Sequence, residues 1–352
     1  MNLLEHELTY PFEDQLPEPG RTIEVRPGVH WLRMPLPFAL DHINLWLIKD
    51  VIDGQEGWTI VDCGIAKDEV KAIWEAVFEN ILQGMPVLRV IVTHMHPDHI
   101  GLAHWLCERW QVPLYMSMTD YMTARHWSTN TAGSAAGGES AVRHFHQHGM
   151  RDAESLEQIR GRAGYYVNLV PAVPDQFFRL QGGDSIVING SNWQLIAGFG
   201  HAPEHLSLYC EDNNVLISGD MVLPRISTNV SVANYEPLGN PLPAYLKSLN
   251  AYESLANDAL VLPSHGKPFH GLHTRIAQQL THHEARLAEV LEACETPQST
   301  ADIIPLMFKR TLDLHQMTFA MGEALAHLHA LYFDGKLRRL VEPDGLIRFV
   351  RV

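Results

Sequence analysis

The sequence predicts an α/β fold followed by a helical C-terminal module, and three observations carry that prediction. Short apolar runs alternate with segments of helical period through the first third of the chain. Residues 184–219 then switch to four apolar runs separated by Gly, Asn and Asp turns. From Gly271 onward the pattern becomes helical until two short strand-like runs close the chain.

Taken in order, HINLWLI (42–48) and WTIVDC (58–63) read as buried strands, and KDEVKAIWEAVFENIL follows at helical period. VLRVIV (87–92) is a third strand, then come the heptad THMHPDH (93–99), a helix through Trp110 and the short strand VPLYM. Residues 119–170 lean helical and polar around a flexible NTAGSAAGG, and read as an insertion that caps the adjoining cleft. DSIVI, NWQLIAGF, LSLYCE and NVLISG form the all-β stretch, a helix is expected near 243–256, and ALVLP (259–263) is the next strand. A long helix runs to about Glu295, two more reach Phe333, and KLRRLVE and LIRFVRV flank Pro343, Asp344 and Gly345. Three helices and a hairpin read as a winged-helix-like module over 271–352, leaving 1–270 as the catalytic domain.

At 352 residues and 46% hydrophobic the chain can bury a sizeable core without staples. Its four cysteines are scattered with no CxxC pair, which fits a reducing compartment rather than a disulfide framework or a zinc ribbon. The start MNLLEHELTYPFEDQLPEPG is acidic and proline-broken, unlike a signal peptide, so a cytoplasmic protein is expected. No apolar run approaches the roughly 20 residues of a membrane span. A formal charge of −15 argues against long-range attraction to nucleic acid or anionic lipid. Residues 300–352 hold 7 Lys/Arg against 6 Asp/Glu, so the C-terminal stretch offers no basic footprint either.

With 21 histidines in the chain, spacing has to separate ligands from incidental residues. The heptad places His94, His96, Asp98 and His99 directly after an apolar strand, where the sheet fixes the backbone and the loop aims the side chains. In His94-x-His96 both imidazoles can turn to one ion, while Asp98 and His99 suit a second. Alone, the heptad could also be a helix cap with exposed histidines. The downstream strand ends shift the balance: GFGHAPEH supplies His201, LISGD supplies Asp220 and VLPSHG supplies His265. Each follows an apolar strand and borders Gly or Ser, and together the seven residues suffice for two ions.

This pattern resembles the metallo-β-lactamase superfamily: HxHxDH at 94–99, then a His, an Asp and a His at successive strand ends, with Asp62 in IVDCG matching the first motif. The resemblance implies an αββα sandwich over roughly residues 20–270. It implies His94, His96 and His201 on one metal, Asp98, His99 and His265 on the other, Asp220 bridging, and Asp62 steadying the metal loop from behind. Two divalent ions are expected, zinc first, with iron or manganese as alternatives. THHEARLAEVLEA and GEALAHLHALYFDGKLRRL are similar to the winged-helix appendage of some lactamase-like proteins.

Two cations sharing a carboxylate would hold a bridging hydroxide as nucleophile. Asp98 would orient it or take its proton, and by family similarity His205 would face the leaving group. His144, His146 and His148 fall on a helix-leaning segment, where an exposed face is expected rather than a metal site. Tyr121, Trp127, Tyr165 and Tyr166 are candidates for an apolar substrate wall. The favoured function is hydrolysis of a small-molecule ester or thioester, as in glyoxalase II-like enzymes. An endoribonuclease or phosphodiesterase comes next, weakened by the charge, and a mononuclear iron persulfide dioxygenase shares the motif. A true β-lactamase is disfavoured by Asp220, and a DNA-binding sensor by the absence of a basic recognition helix. The apolar face of Leu314, Met317, Phe319, Leu325, Leu328 and Leu331 is expected to pack within the module or across a homodimer.

Overall fold

A computed structural model describes residues 2–130 and 137–352, so most of the NTAGSAAGG segment lies outside the described residues. β1 (Ile23–Arg26), β2 (Val29–Pro35), β3 (His42–Ile52) and β4 (Gln55–Val61) form an antiparallel meander. α1 (Asp68–Asn80) then crosses over, and β5 (Val87–Ile91) joins β4 in parallel. α2 (Pro97–Ile100) and α3 (Ala103–Trp110) precede β6 (Leu114–Met116). The inserted helices are α4 (Met118–Thr129), α5 (Glu139–Gln147), α6 (Ala153–Gly161) and α7 (Tyr165–Leu169). β7 (Phe177–Arg179) completes a seven-stranded sheet in sequence order.

β8 (Ser185–Ile188), β9 (Ser191–Gly198), β10 (His205–Cys210) and β11 (Val215–Gly219) make an antiparallel run. α8 (Pro241–Leu249) leads to β12 (Leu260–Pro263), which pairs with β11 in parallel and closes the second sheet of five strands. The C-terminal module is α9 (Leu272–Ala293), α10 (Thr300–Met307), α11 (Leu314–Phe333) and the hairpin β13 (Leu337–Val341) with β14 (Ile347–Arg351).

Strand alternation decides which face each side chain serves. In β3, Leu45 and Leu47 join the core under α1 and α3, while Trp46 and Ile48 join the core between the sheets. In β10, β11 and β12, Leu208, Ile217 and Leu262 point into that inter-sheet core, and Tyr209, Leu216 and Val261 point to the outer helices. Continuous apolar runs are what strands covered on both faces require, and the layers stack as helices, sheet, sheet, helices.

Two departures from the expected elements have local causes. The helix after the heptad is broken at Gly101, where a Cβ would come within 2.6 Å of the Gly64 carbonyl oxygen. β1 and β2 were not anticipated, because VHWLRMP mixes His and Arg with its apolar residues.

The insertion divides. α4 and α7 pack beside the 93–99 loop, whereas Phe145 of α5 and Ile159 of α6 share a core with Ile303, Leu325 and Leu328 of the C-terminal helices. Of the cap expected over residues 119–170, α4 and α7 lie beside the metal loop, and α5 and α6 pack on the C-terminal helices. The same packing corrects the exposed-face expectation for the histidine run. His144 and His148, four apart, are buried, and only His146 is partly open. His148 Nδ1 lies 3.3 Å from Thr300 Oγ1, and its carbonyl accepts the Ala301 amide. Among the described residues no helix is long and apolar enough to cross a membrane.

Candidate metal centre

The seven expected ligands come from strand ends at one edge of the sandwich. His94, His96, Asp98 and His99 follow β5, His201 follows β9, Asp220 follows β11 and His265 follows β12. They form two groups whose ligand atoms lie within 4.8 Å of one another: His94, His96, His201 and Asp220, and then Asp98, His99 and His265. Asp220 stands between them. Its Oδ2 is 3.2 Å from His201 Nε2, and its Oδ1 is 3.5 Å from His265 Nε2 and 3.6 Å from His99 Nε2. Asp98 Oδ2 is 3.4 Å from His265 Nε2.

Hydrogen bonds behind the imidazoles settle their tautomers. His201 Nδ1 donates to the Asn229 carbonyl at 2.7 Å, His265 Nδ1 to the His42 carbonyl at 2.8 Å and His99 Nδ1 to Asp62 Oδ2 at 2.8 Å. Each of the three then turns its Nε2 inward, the arrangement that prepares histidine for a cation. His96 Nδ1 lies 2.9 Å from His94 Nε2 and 3.1 Å from His201 Nε2, and His94 and His201 are 3.2 Å apart. Converging lone pairs cannot satisfy one another, and His99 Nε2 and Asp220 Oδ1 are buried without any hydrogen-bond partner. These donor atoms fit divalent cations.

The electrostatics of the two groups differ. Burial, helped by the neighbouring imidazoles, pushes His94 far below the usual histidine range and His96 down to about 3. Burial also opposes the charged form of His265, yet Asp220 and Asp98 hold it up at about 10. Asp98 shows the reciprocal effect: burial would raise it, but His99 and His265 hold it at about 2. The carboxylate-rich half of the cleft thus draws positive charge, and the histidine-rich half presents neutral ligands.

Asp62 closes β4 in a left-handed conformation (φ 64°), which aims its carboxylate back under the metal loop. Oδ1 accepts the Thr93 amide at 2.8 Å while Oδ2 takes the His99 imidazole. His205 does not stand where the leaving-group expectation put it. It is fully buried at the start of β10, ring-packed on His94 at 4.9 Å, and its Nε2 accepts the Asp220 amide at 3.2 Å. A Cβ on Gly219 would collide with that ring at 2.1 Å, so the SGD glycine lets His205 buttress the Asp220 loop.

Sequence reasoning missed several supports. Asp120, at the start of α4, accepts the Met95 amide at 2.8 Å and the Glu204 amide at 2.6 Å, tying the loop of His94 and His96 to that of His201. Burial pushes its carboxyl up to about 6. Asn44 accepts the Trp31 indole N–H and donates to the Pro263 and Gly266 carbonyls around His265. Arg275 of α9 donates to the Leu223 and Ile226 carbonyls beyond Asp220, so the C-terminal module braces the centre. The S-x-x-D spacing of Ser117 and Asp120, a helix-start signature, is a signal that could have placed Asp120 near the cleft. Of the four aromatics expected in a substrate wall, Tyr121 and Trp127 are packing residues and Tyr166 donates its hydroxyl to the Met95 carbonyl. Tyr165 stays half-buried at the cleft.

Comparisons with known proteins agree with this geometry. The family described as the Metallo-beta-lactamase superfamily matches residues 40–265, and the Metallo-beta-lactamase-like, C-terminal domain matches residues 287–352, beginning inside α9. The chain is similar to the probable metallo-hydrolase YqjP of Bacillus subtilis (strain 168), at 22% identity over 85% of this chain and 91% of the relative. It is 27% identical to a linear primary-alkylsulfatase of Pseudomonas sp. (strain ATCC 19151), over 63% of this chain and 42% of that protein. Among solved structures, a Beta-lactamase domain protein from Burkholderia ambifaria superposes with a TM-score of 0.94 at 55% identity, covering all of both chains. A metallo-beta-lactamase family protein from Thermus thermophilus superposes with a TM-score of 0.74 at 26% identity, over 93% of this chain and 99% of that one.

Proposed function

The chain belongs to the metallo-beta-lactamase superfamily, and on that premise we propose that it is a dinuclear metal-dependent hydrolase of a small-molecule ester or thioester. The observation that carries the reading is the placement of Asp220 between two ligand groups whose imidazole nitrogens converge on the cleft. Divalent cations held there, with zinc as the first choice, would polarise the acyl oxygen and lower the pKa of an attacking water towards neutrality.

The protein groups then have separate tasks. His94, His96 and His201 would hold one cation, and Asp98, His99 and His265 the other, with the Asp220 carboxylate within reach of both. Asp98 is ionised at neutral pH and, with part of its side chain open to the cleft, can orient the water and take its proton at Oδ2. Asp62, Asp120 and His205 hold the loops so that these ligands need not reorganise during the reaction. Hydrolysis releases a carboxylate and a thiol or alcohol.

A small substrate is favoured over RNA by the charge of −15, since phosphate binding draws on unpaired Lys and Arg. The reading is tested by quantifying metal in protein purified without additions, then assaying thioesters, lactones, alkyl sulfates, phosphodiesters and RNA. Two equivalents of metal with thioester or ester turnover are expected. Turnover of RNA or phosphodiesters well above every ester would overturn the assignment. So would submicromolar, steeply salt-dependent RNA binding.

A further inference from the structure

The C-terminal module reaches the cleft through one helix end. α11 begins at Leu314, and the His315 ring stacks on Phe38 with centroids 5.0 Å apart and planes 17° from parallel. Tyr165 completes the cluster, 5.9 Å from His315 and 6.4 Å from Phe38. Phe319, one turn along α11, meets His315 edge-on at 4.9 Å and stays 43% exposed although its neighbours Thr318 and Ala320 are buried. These rings belong to three distant stretches: the loop before β3, α7 and α11.

The cluster lies near the metal centre, since the Asp98 charge acts on the Tyr165 phenol, and two of its rings sit in segments tied to the metal loops. Phe38 lies four residues before His42, whose carbonyl takes the His265 Nδ1 proton. Tyr165 adjoins Tyr166, whose hydroxyl holds the Met95 carbonyl between His94 and His96. Burial and then the nearby Asp98 charge raise the Tyr165 phenol, which keeps it neutral. His315 is lowered by burial and by Arg162, so the wall carries no charge at pH 7. The His315 ring is held by aromatic contacts on three sides.

We propose that His315 of the C-terminal module forms, with Phe38, Tyr165 and Phe319, the wall that takes the apolar acyl arm of the substrate and thereby sets acyl-chain preference. The proposal rests on the ester or thioester reading above and deepens it to acyl groups with an extended hydrocarbon arm. A half-open, uncharged aromatic surface beside the reacting centre rewards each methylene laid on it. A fully buried methylene gains about fourfold in affinity, which sets the ceiling.

The test uses the full-length, metal-loaded protein and reads slopes against chain length. N-acetylcysteamine thioesters with straight acyl chains of two to eight carbons give kcat/KM, and calorimetry with the matching free carboxylic acids gives affinity without turnover. Both are expected to rise with chain length, approaching fourfold per methylene at best. The slope should flatten in His315→Ala and in Phe38→Ala with metal content unchanged, while His315→Phe, which keeps the ring, should preserve it. Phe319→Ala, at an exposed position, gives a partial flattening even if the other variants fold poorly. A slope that survives His315→Ala and Phe38→Ala, or one lost equally in His315→Phe, overturns the wall. If no thioester is turned over, the function proposed above fails, and the carboxylic-acid series still decides the wall: a slope lost in His315→Ala upholds it, and a flat wild-type series rejects it.

Discussion

Five histidines at strand ends, His94, His96, His99, His201 and His265, and five on helices, His144, His148, His283, His327 and His329, are mostly or wholly buried, yet they do different things. In the first set Nδ1 of His99, His201 and His265 is backed by an acceptor, and the inward nitrogens meet two carboxylates. In the second set the rings pair with backbone carbonyls, a hydroxyl or one another, and among the described residues no carboxylate joins them. His283 Nδ1 lies 3.2 Å from His327 Nε2, His327 Nδ1 donates to the Glu323 carbonyl, and His329 Nδ1 donates to the Gly239 carbonyl. Burial pushes His144 to about 4, His148 to about 2, His283 to about 3 and His327 to about 4. A neutral imidazole is an inexpensive core residue once one nitrogen is bonded. Burial of histidine is therefore no sign of a metal site, whereas convergence with carboxylates is.

The contrast can be broken most severely at Asp220. Asp220→Ala should empty or loosen at least one metal position and lower hydrolysis by on the order of a thousandfold or more, since several kcal/mol of charge stabilisation depend on that site. Metal analysis beside steady-state kinetics checks this, and full activity with one equivalent in the wild type would count against the dinuclear assignment.

Asp120→Asn sharpens the same side. The amide keeps one acceptor oxygen for two backbone donors, so one loop tether is lost. A fall of about 10–100-fold in metal affinity or activity is expected, as for other groups that orient ligands. Unchanged metal titration and kinetics would show that the two loops do not need this link.

On the helical side, burial pushes the Glu323 carboxyl up to about 7. A carboxyl raised in the folded state binds its proton more tightly there than in the unfolded chain. Its stabilising effect is therefore complete below about pH 4.5 and is lost as pH rises towards about 7, a change of about 3 kcal/mol. Urea unfolding at pH 5 and pH 8 should show that loss in the wild type and a smaller one in Glu323→Gln. Identical pH dependence in the two proteins would refute it.

The smallest effect is expected at His327. His327→Leu removes a partner of His283 and should cost about 1 kcal/mol of stability, with metal content and kcat within twofold of wild type. Loss of metal from this variant would erase the distinction between the two histidine sets.

Much of the metal centre was readable because its ligands sit where apolar strands end, and a strand end is visible in one dimension. His94, His96, Asp98 and His99 share one loop, and His201, Asp220 and His265 each follow a run of buried residues bordered by Gly or Ser. His205 misled because four residues of separation say nothing about which side of a strand a ring takes. Its position at the first residue of β10 turns it into the core behind Asp220. Asp120 and Asn44 were invisible because their work is done through backbone groups of segments far along the chain.

By itself, then, the sequence determined most of the order of strands and helices, the helical character of the C-terminal module and the identities of the ligand-bearing strand ends, since apolar periodicity and turn residues act over a few positions. Only the tertiary structure decided that α5 and α6 pack against the C-terminal helices, that Arg275 braces the loop after Asp220, and that His315 meets Phe38 and Tyr165. Those contacts join residues more than a hundred positions apart or elements whose facing sides are set by the packing of both sheets. No local pattern encodes a meeting that depends on where two separate surfaces come to rest.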